Sequence, residues 1–212
     1  KHVAEALESG HVRTALERSA AALERTPGNN LCKAVHAMNL ELLGRREEAL
    51  ALCQEVLHAR TTDISVLAHL AAVYRKMGKY AEITEVYEVA HQDAPGKEEL
   101  AQGLLLAFAS EGRLQKQQSL ALKLYREYST PRYLHSAVAS IVLQVAAVGA
   151  HRSLDLAEVL LQRLPIALAR VGAGERREAY AVFLLHIATL RQQGKYASAI
   201  DLVRENDRVI PS

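Results

Sequence analysis

The sequence predicts an all-α protein, a superhelical solenoid of antiparallel helix pairs, on three observations. Half of the 212 residues are apolar, and Ala and Leu, both strong helix formers, are abundant. Four glycines, Gly10, Gly44, Gly78 and Gly112, stand 34 residues apart. Between them, apolar residues recur at intervals of three and four, the period of one helix face.

Each glycine heads the same series. Five residues on stand Ala15, Ala49, Ile83 and Gln117; twelve on, Ala22, Val56, Ala90 and Leu124; seventeen on, Pro27, Thr61, Pro95 and Ser129. A 34-residue period with a glycine, two small or apolar positions and a breaker in fixed order is the tetratricopeptide pattern. The glycine ends the first helix of each pair because that turn favours a residue without Cβ. Small residues follow where the paired helices cross closely, and Pro or Thr stops the second helix.

Taken in order, the first repeat is predicted to turn at Gly10. The second carries Ala34, Ala37 and Leu40, then Ala49, Cys53 and Val56. The third has Leu67, Leu70, Ala71 and Tyr74, a turn at Gly78, then Ile83, Tyr87 and Ala90. The fourth has Leu104, Leu105 and Phe108, then Leu120, Ala121 and Leu124. These four regular repeats fill 1–130. An irregular fifth pair is expected over 131–174, with helices over 133–147 and 154–164 and longer connections at 148–153 and 165–174, where Gly172 and Gly174 suggest a turn. A sixth pair over 175–212 returns to register, with a helix over 175–193, the turn Gly194-Lys195-Tyr196, then Ala199 and Val203. From Gly112 to Gly194 runs 82 residues where two whole repeats take 68. The chain starts at Lys1 and stops without a polar capping helix, so it reads as part of a longer solenoid.

Composition excludes several functions. The net charge of +2 leaves no strongly basic arm and no acidic tail. Cys32 and Cys53 form no metal-type pair; two lone thiols fit a reducing compartment, where they pack as small apolar residues. No stretch reaches the ~20 apolar residues of a membrane span. The nine histidines never pair at i+3 or i+4, so no helical zinc face forms. Gly172-Ala173-Gly174 is too short for a dinucleotide loop and follows no strand. No metal, cofactor or catalytic residue is expected. Glu47, Glu48, Asp63, Glu82, Glu85 and Glu88 read as solvated faces, and Tyr74, Tyr80, Tyr87 and Tyr196 as packing residues.

Two surfaces remain. First helices line the concave groove of such a solenoid, which places Ala34, Met38, Ser65, Ala68 and Ala72 there. Lys and Asn at such positions clamp a peptide carboxylate; Ala and Met suit a protein helix instead. The turns, all on one edge, carry Arg13, Arg45, Arg46, Arg75, Lys76, Lys79, Arg113 and Lys116, with Arg191 and Lys195 further on. Such a basic rim can meet a phosphate backbone, although Gly-Lys and Gly-Arg turns are also ordinary in this repeat.

Four segments carry a family resemblance. They are Glu47-Glu48-Ala49-Leu50 with Gln54-Glu55-Val56; residues 67–74 with Arg75-Lys76-Met77 and Val86-Tyr87-Glu88; Pro131-Arg132-Tyr133 with Ser136 and Ile141-Val142-Leu143-Gln144; and Leu190 with Gly194-Lys195-Tyr196, Ala199 and Asp201. In that order they resemble the N-terminal part of the auxiliary subunit of the N-terminal acetyltransferase B complex. The resemblance implies a cytoplasmic, non-catalytic scaffold in a hetero-oligomer, wrapped around a catalytic subunit that uses acetyl-CoA. The complex would acetylate nascent chains beginning Met-Asp, Met-Glu, Met-Asn or Met-Gln, with the basic rim facing the ribosome and its RNA. A generic tetratricopeptide adaptor, or the auxiliary subunit of a different N-terminal acetyltransferase, fits the same residues.

Overall fold

A computed structural model describes residues 2–148, 153–162 and 173–205. Among them there is no strand. Six helices belong to a first compact unit, Lys1–Glu111: α1 (His2–Arg25), α2 (Asn30–Leu42), α3 (Arg46–His58), α4 (Ile64–Lys76), α5 (Tyr80–Asp93) and α6 (Glu98–Glu111). Five more belong to a second, Gly112–Ser212: α7 (Leu114–Tyr128), α8 (Pro131–Val148), α9 (Leu154–Leu161), α10 (Ala173–Gln192) and α11 (Tyr196–Glu205). The unit boundary falls at Gly112, inside the fourth pair that the period predicts.

Local chemistry explains where the helices of the first unit start and stop. The Asn29 side chain accepts from the amides of Leu31 and Cys32 and caps α2; Asp63 accepts from Ser65 and Val66 and caps α4. Both satisfy amides that have no partner within the helix. Gly44, Gly78, Gly112 and Gly194 all have φ between +72° and +79°, a region that costs a residue with Cβ. At three of these turns the same double closure follows. The glycine amide donates back to Glu41, Arg75 or Arg191, and the next amide, of Arg45, Lys79 or Lys195, donates to Leu40, Tyr74 or Leu190. The second bond spans five residues and satisfies a carbonyl that the ending helix leaves open.

Gly10 breaks the expectation. Helix α1 runs through it without a turn. One glycine costs a helix only about 1 kcal/mol, which a helix of 24 residues can absorb. Arg13 therefore sits within a helix and not at a turn.

In the first unit α1 packs on α2, α2 on α3 and α4, α4 on α5, and α5 on α6. Small residues sit where the helices meet: Ala34, Ala37 and Ala49 are fully buried, Ala71 and Ala90 nearly so. Leu70, Val56, Val73, Ile83 and Leu100 fill the space between them. Gly103 serves a different need. A Cβ there would lie 2.1 Å from the ring of Tyr87, so α6 meets α5 closely only because that position is bare.

In the second unit α7 packs on α8, and α8, α9 and α10 pack on one another, with α11 against α10. Tyr133, Leu134, Ile141, Leu154, Leu161 and Phe183 make its core. Helix α10 begins at Ala173, so Gly174 lies in its first turn and not in a connection. Of the expected connections at 148–153 and 165–174, residues 149–152 and 165–172 lie outside the described residues, as do residues 163 and 164. Two tyrosines also depart from expectation. Tyr74 and Tyr87 are buried, but Tyr80 and Tyr196 are 39 % and 63 % exposed. Each of the latter is the first residue of its helix, at the open end of a pair, where no neighbouring helix covers it.

Candidate interaction surfaces

The expected groove is only partly realised. Ser65 and Ala68 are exposed, and Met38 and Ala72 half-buried. Ala34 has no exposed surface and cannot line a groove. The reason lies on α4, whose Lys76 ammonium reaches the Glu41 carboxylate of α2 at 3.4 Å. Helix α4 therefore covers the side of α2 that holds Glu41, and Ala34, two turns back on the same face, with it.

Helix α1 closes the other side. The Asn39 amide group donates to the Ala15 carbonyl at 3.2 Å and to Ser19 Oγ at 3.0 Å. Ser19 Oγ donates to the Leu16 carbonyl and stands 2.9 Å from His36 Nδ1. At the far end, the Thr26 hydroxyl reaches Cys32 Sγ. Rising numbers on α1 thus meet falling numbers on α2, and the two run antiparallel.

Between these walls α2 exposes an apolar stripe absent from the sequence reading: Leu31, Val35, Met38 and Leu42. Leu31 and Leu42 are 39 % and 45 % exposed, and the two between them half-buried. The signal was there, a four–three–four spacing beside the core positions Ala34, Ala37 and Leu40. Taken position by position, the repeat points only to Met38 of these four.

The rim cations differ in kind. Arg45 holds Glu48 through two bonds of 2.6 Å, Lys79 holds Glu82 at 2.7 Å, and Lys76 holds Glu41. The Arg45 guanidinium keeps the Glu48 carboxyl below its ordinary range, as Lys79 does for Glu82. Arg13, Arg46 and Arg75 carry no ion pair among the described residues. In the second unit Arg113 and Lys116 flank a shallow cleft with Gln144 and Ala147. Lys195 is held by Glu158 at 2.8 Å, and Gln193 donates to the same carboxylate oxygen. Carboxylates therefore already hold the cation at several turns, Glu48 and Glu82 from the following helix and Glu41 and Glu158 from an earlier one.

Cys53 is buried, which pushes its thiol up to about 12, far from a nucleophile at neutral pH. Among the described residues no group of three His, Cys, Asp or Glu comes together as metal ligands would, and no helix is long and apolar enough to cross a membrane.

Comparison with known proteins agrees with this picture. A family model described as "Psidin, N-terminal TPR repeats region" matches residues 1–208. The chain is 29 % identical over 201 residues to the Rattus norvegicus "N-alpha-acetyltransferase 25, NatB auxiliary subunit", covering 93 % of this chain. It is 33 % identical over 192 residues to the "Phagocyte signaling-impaired protein" of Drosophila pseudoobscura pseudoobscura, covering 88 %. A 29 % identity over 206 residues links it to the Arabidopsis thaliana "N-terminal acetyltransferase B complex auxiliary subunit NAA25". The chain spans about a fifth of the length of these relatives, 20 % in the first two and 19 % in the third. Among solved structures, BtubC from P. vanneervenii superposes with a TM-score of 0.58 at 15 % identity, over 94 % of this chain and 88 % of that one. That likeness supports the helical-repeat fold.

Proposed function

The chain belongs to the Psidin N-terminal TPR-repeat family, and from that premise we propose that it is a non-catalytic arm of an auxiliary subunit in a cytoplasmic N-terminal acetyltransferase complex of the B type. The observation that carries this reading is the match to proteins named as auxiliary subunits along 93 % of the chain. The chemistry is in keeping with it. Here are packed helix pairs, interaction surfaces and an inert buried thiol; acetyl-CoA and the acetyl-transfer residues belong to a catalytic partner.

Co-expression tests the reading. The full-length protein should co-purify with a small acetyltransferase and support acetylation of peptides beginning Met-Asp, Met-Glu, Met-Asn or Met-Gln. The purified protein alone should acetylate none of them. Activity without a partner, or a partner of another kind, overturns it.

Docking at the ribosome is the finer part of the proposal, and it rests on the basic turns. Arg46 and Arg75 are the cations to reverse in the first unit, because their charge is not already matched by a carboxylate; in the second unit Arg113 and Lys116, which flank the cleft beside Gln144, are chosen for their place at the turn. Reversal of these four to Glu should weaken co-sedimentation of the assembled complex with ribosomes, more at low salt than at high. Peptide acetylation should persist. Unchanged co-sedimentation would leave the turns with no part in docking.

A further inference from the structure

We propose that the groove floored by α2 docks an amphipathic helix of a partner protein, one with an apolar stripe and carboxylates along its flanks. The proposal does not rest on the acetyltransferase reading.

The floor is the stripe Leu31, Val35, Met38 and Leu42. Single exposed apolar residues on a surface need no explanation. Four in line along one helix do, because α2 already buries a complete core face: Ala34 and Ala37 are fully buried and Leu40 is 2 % exposed. The stripe is a second apolar face with the four–three–four spacing of a helix–helix seam. Helix α2 has 13 residues, a length of about 20 Å, which suits a partner segment of three to four turns.

The charge on the walls selects the partner. On α1, Arg18 and Arg25 stand two turns apart on the edge that overlooks the floor. Arg18 shares a cleft with Val35 and Asn39, and Arg25 precedes Thr26, which touches Cys32 at the Leu31 end. Both are exposed and neither has an ion pair among the described residues. On α4 the cation on the α2 side is Lys76, and Glu41 already holds it. The carboxylates are elsewhere or occupied. Glu17 and Glu24 precede the two arginines by one residue and so fall about 100° round the helix, away from α2. Glu41 holds Lys76. An apolar floor beside a cationic edge complements a helix with carboxylates along its flank, and electrostatic complementarity of this kind sets partner choice and register. A nucleic acid backbone would use the arginines but gain nothing from Leu31, Val35, Met38 and Leu42.

Two synthetic peptides test this on the full chain. Each is a helix of about 15 residues with Leu at four–three spacing; one has Glu on its flanks and the other Lys. Fluorescence anisotropy should show the Glu peptide binding at least about tenfold more tightly, with the preference shrinking as salt rises. Arg18→Glu with Arg25→Glu should invert the preference. Leu31→Gln with Leu42→Gln should weaken both peptides, and circular dichroism should show the fold unchanged, since all four positions are exposed. Equal binding of the two peptides, or arginine reversal without effect, overturns the proposal. So does a single-stranded RNA whose binding is lost with the arginines but kept with the leucine variant, which would make the face a nucleic-acid surface. Self-association abolished by the leucine variant would assign the groove to a second copy and overturn it equally.

Discussion

Helices α2–α5 and helices α8–α11 are built from the same kind of residues and held in different ways. In the first set the close contacts are small side chains against large ones, Ala37, Ala49, Ala71 and Ala90 beside Leu70, Val73 and Ile83. Ion pairs join helices in the first set as well, Lys33 to Glu55 and Lys76 to Glu41, but in the second set amide side chains join them too. Gln192 donates to the Val142 carbonyl of α8 at 3.3 Å, and Gln193 and Lys195 share the Glu158 carboxylate of α9. Contacts of shape can repeat every 34 residues, because each helix pair meets the next in the same way. A hydrogen bond between two particular side chains has no such copy. The lost period after Pro131 is the sequence counterpart of that change.

The largest effect should come from removing shape in the first set. Leu70 is fully buried on α4, so Leu70→Ala should cost roughly 2–5 kcal/mol, and Ala71→Phe, beside it, roughly 1–3 kcal/mol by overpacking. Urea unfolding measures both. Loss well below 1 kcal/mol for Ala71→Phe would contradict the register of α4.

How much was legible follows the same division. The turns at Gly44, Gly78, Gly112 and Gly194 could be read because the demand for positive φ leaves glycine in place at fixed spacing. Gly10 has the same spacing but lies inside α1, and the residues around it, Ser9, His11 and Val12, are no better helix formers than those around Gly44, so spacing and propensity do not separate the two cases. Ala71 and Ala90 were legible as crossing residues. Ala34 was misplaced because a period shows that a residue faces a neighbour but not which neighbour covers it; Lys76 reaching Glu41 decides that. The pairing of Arg45 with Glu48 and Lys79 with Glu82, three residues apart, was open to a reading of helix spacing. The partnership of Glu158 with Gln193 and Lys195, by contrast, joins segments that no period relates.

Gly103 sharpens the comparison within the shape-packed set. Alanine there gains about 1 kcal/mol of helix propensity and loses roughly 1–3 kcal/mol to the Tyr87 ring. Gly103→Ala should therefore destabilise by about 1 kcal/mol net. In a Tyr87→Leu background the same change should become neutral or favourable. A penalty that persists there would place its cause away from the ring.

Glu158→Gln probes the polar set. It keeps the shape and removes the charge that Lys195 and Gln193 hold, which is also what keeps the Glu158 carboxyl below its ordinary range, Lys195 first. The Lys195 side chain is 47 % exposed, so the loss should be only about 0.5–1 kcal/mol. In a Lys195→Met background most of it should vanish, as thermal melts would show.

The smallest effect is one of pH, and it lies at the polar knot between α1 and α2. Ser19 Oγ donates to Leu16 and accepts from Asn39, so its 2.9 Å contact with His36 needs a proton on Nδ1. A second proton must go to Nε2. Burial opposes that charge most, the Arg45 guanidinium adds to the opposition, and Glu48 works the other way; the balance lowers the His36 pKa below 6.5. Between that lowered value and 6.5 the unfolded chain binds more protons than the native one. Stability is therefore complete above about 6.5 and declines as pH falls through this window towards the folded value. Because the knot joins α1 to α2, the loss should register in α1. Amide protection factors along α1 should drop when pH is lowered from about 7.5 to about 5.5, and His36→Gln should flatten that dependence. His186 in the second unit is lowered too, by burial, so a global melt would mix the two groups. Protection in α1 separates them, and an undiminished pH dependence there in His36→Gln would remove His36 as its source.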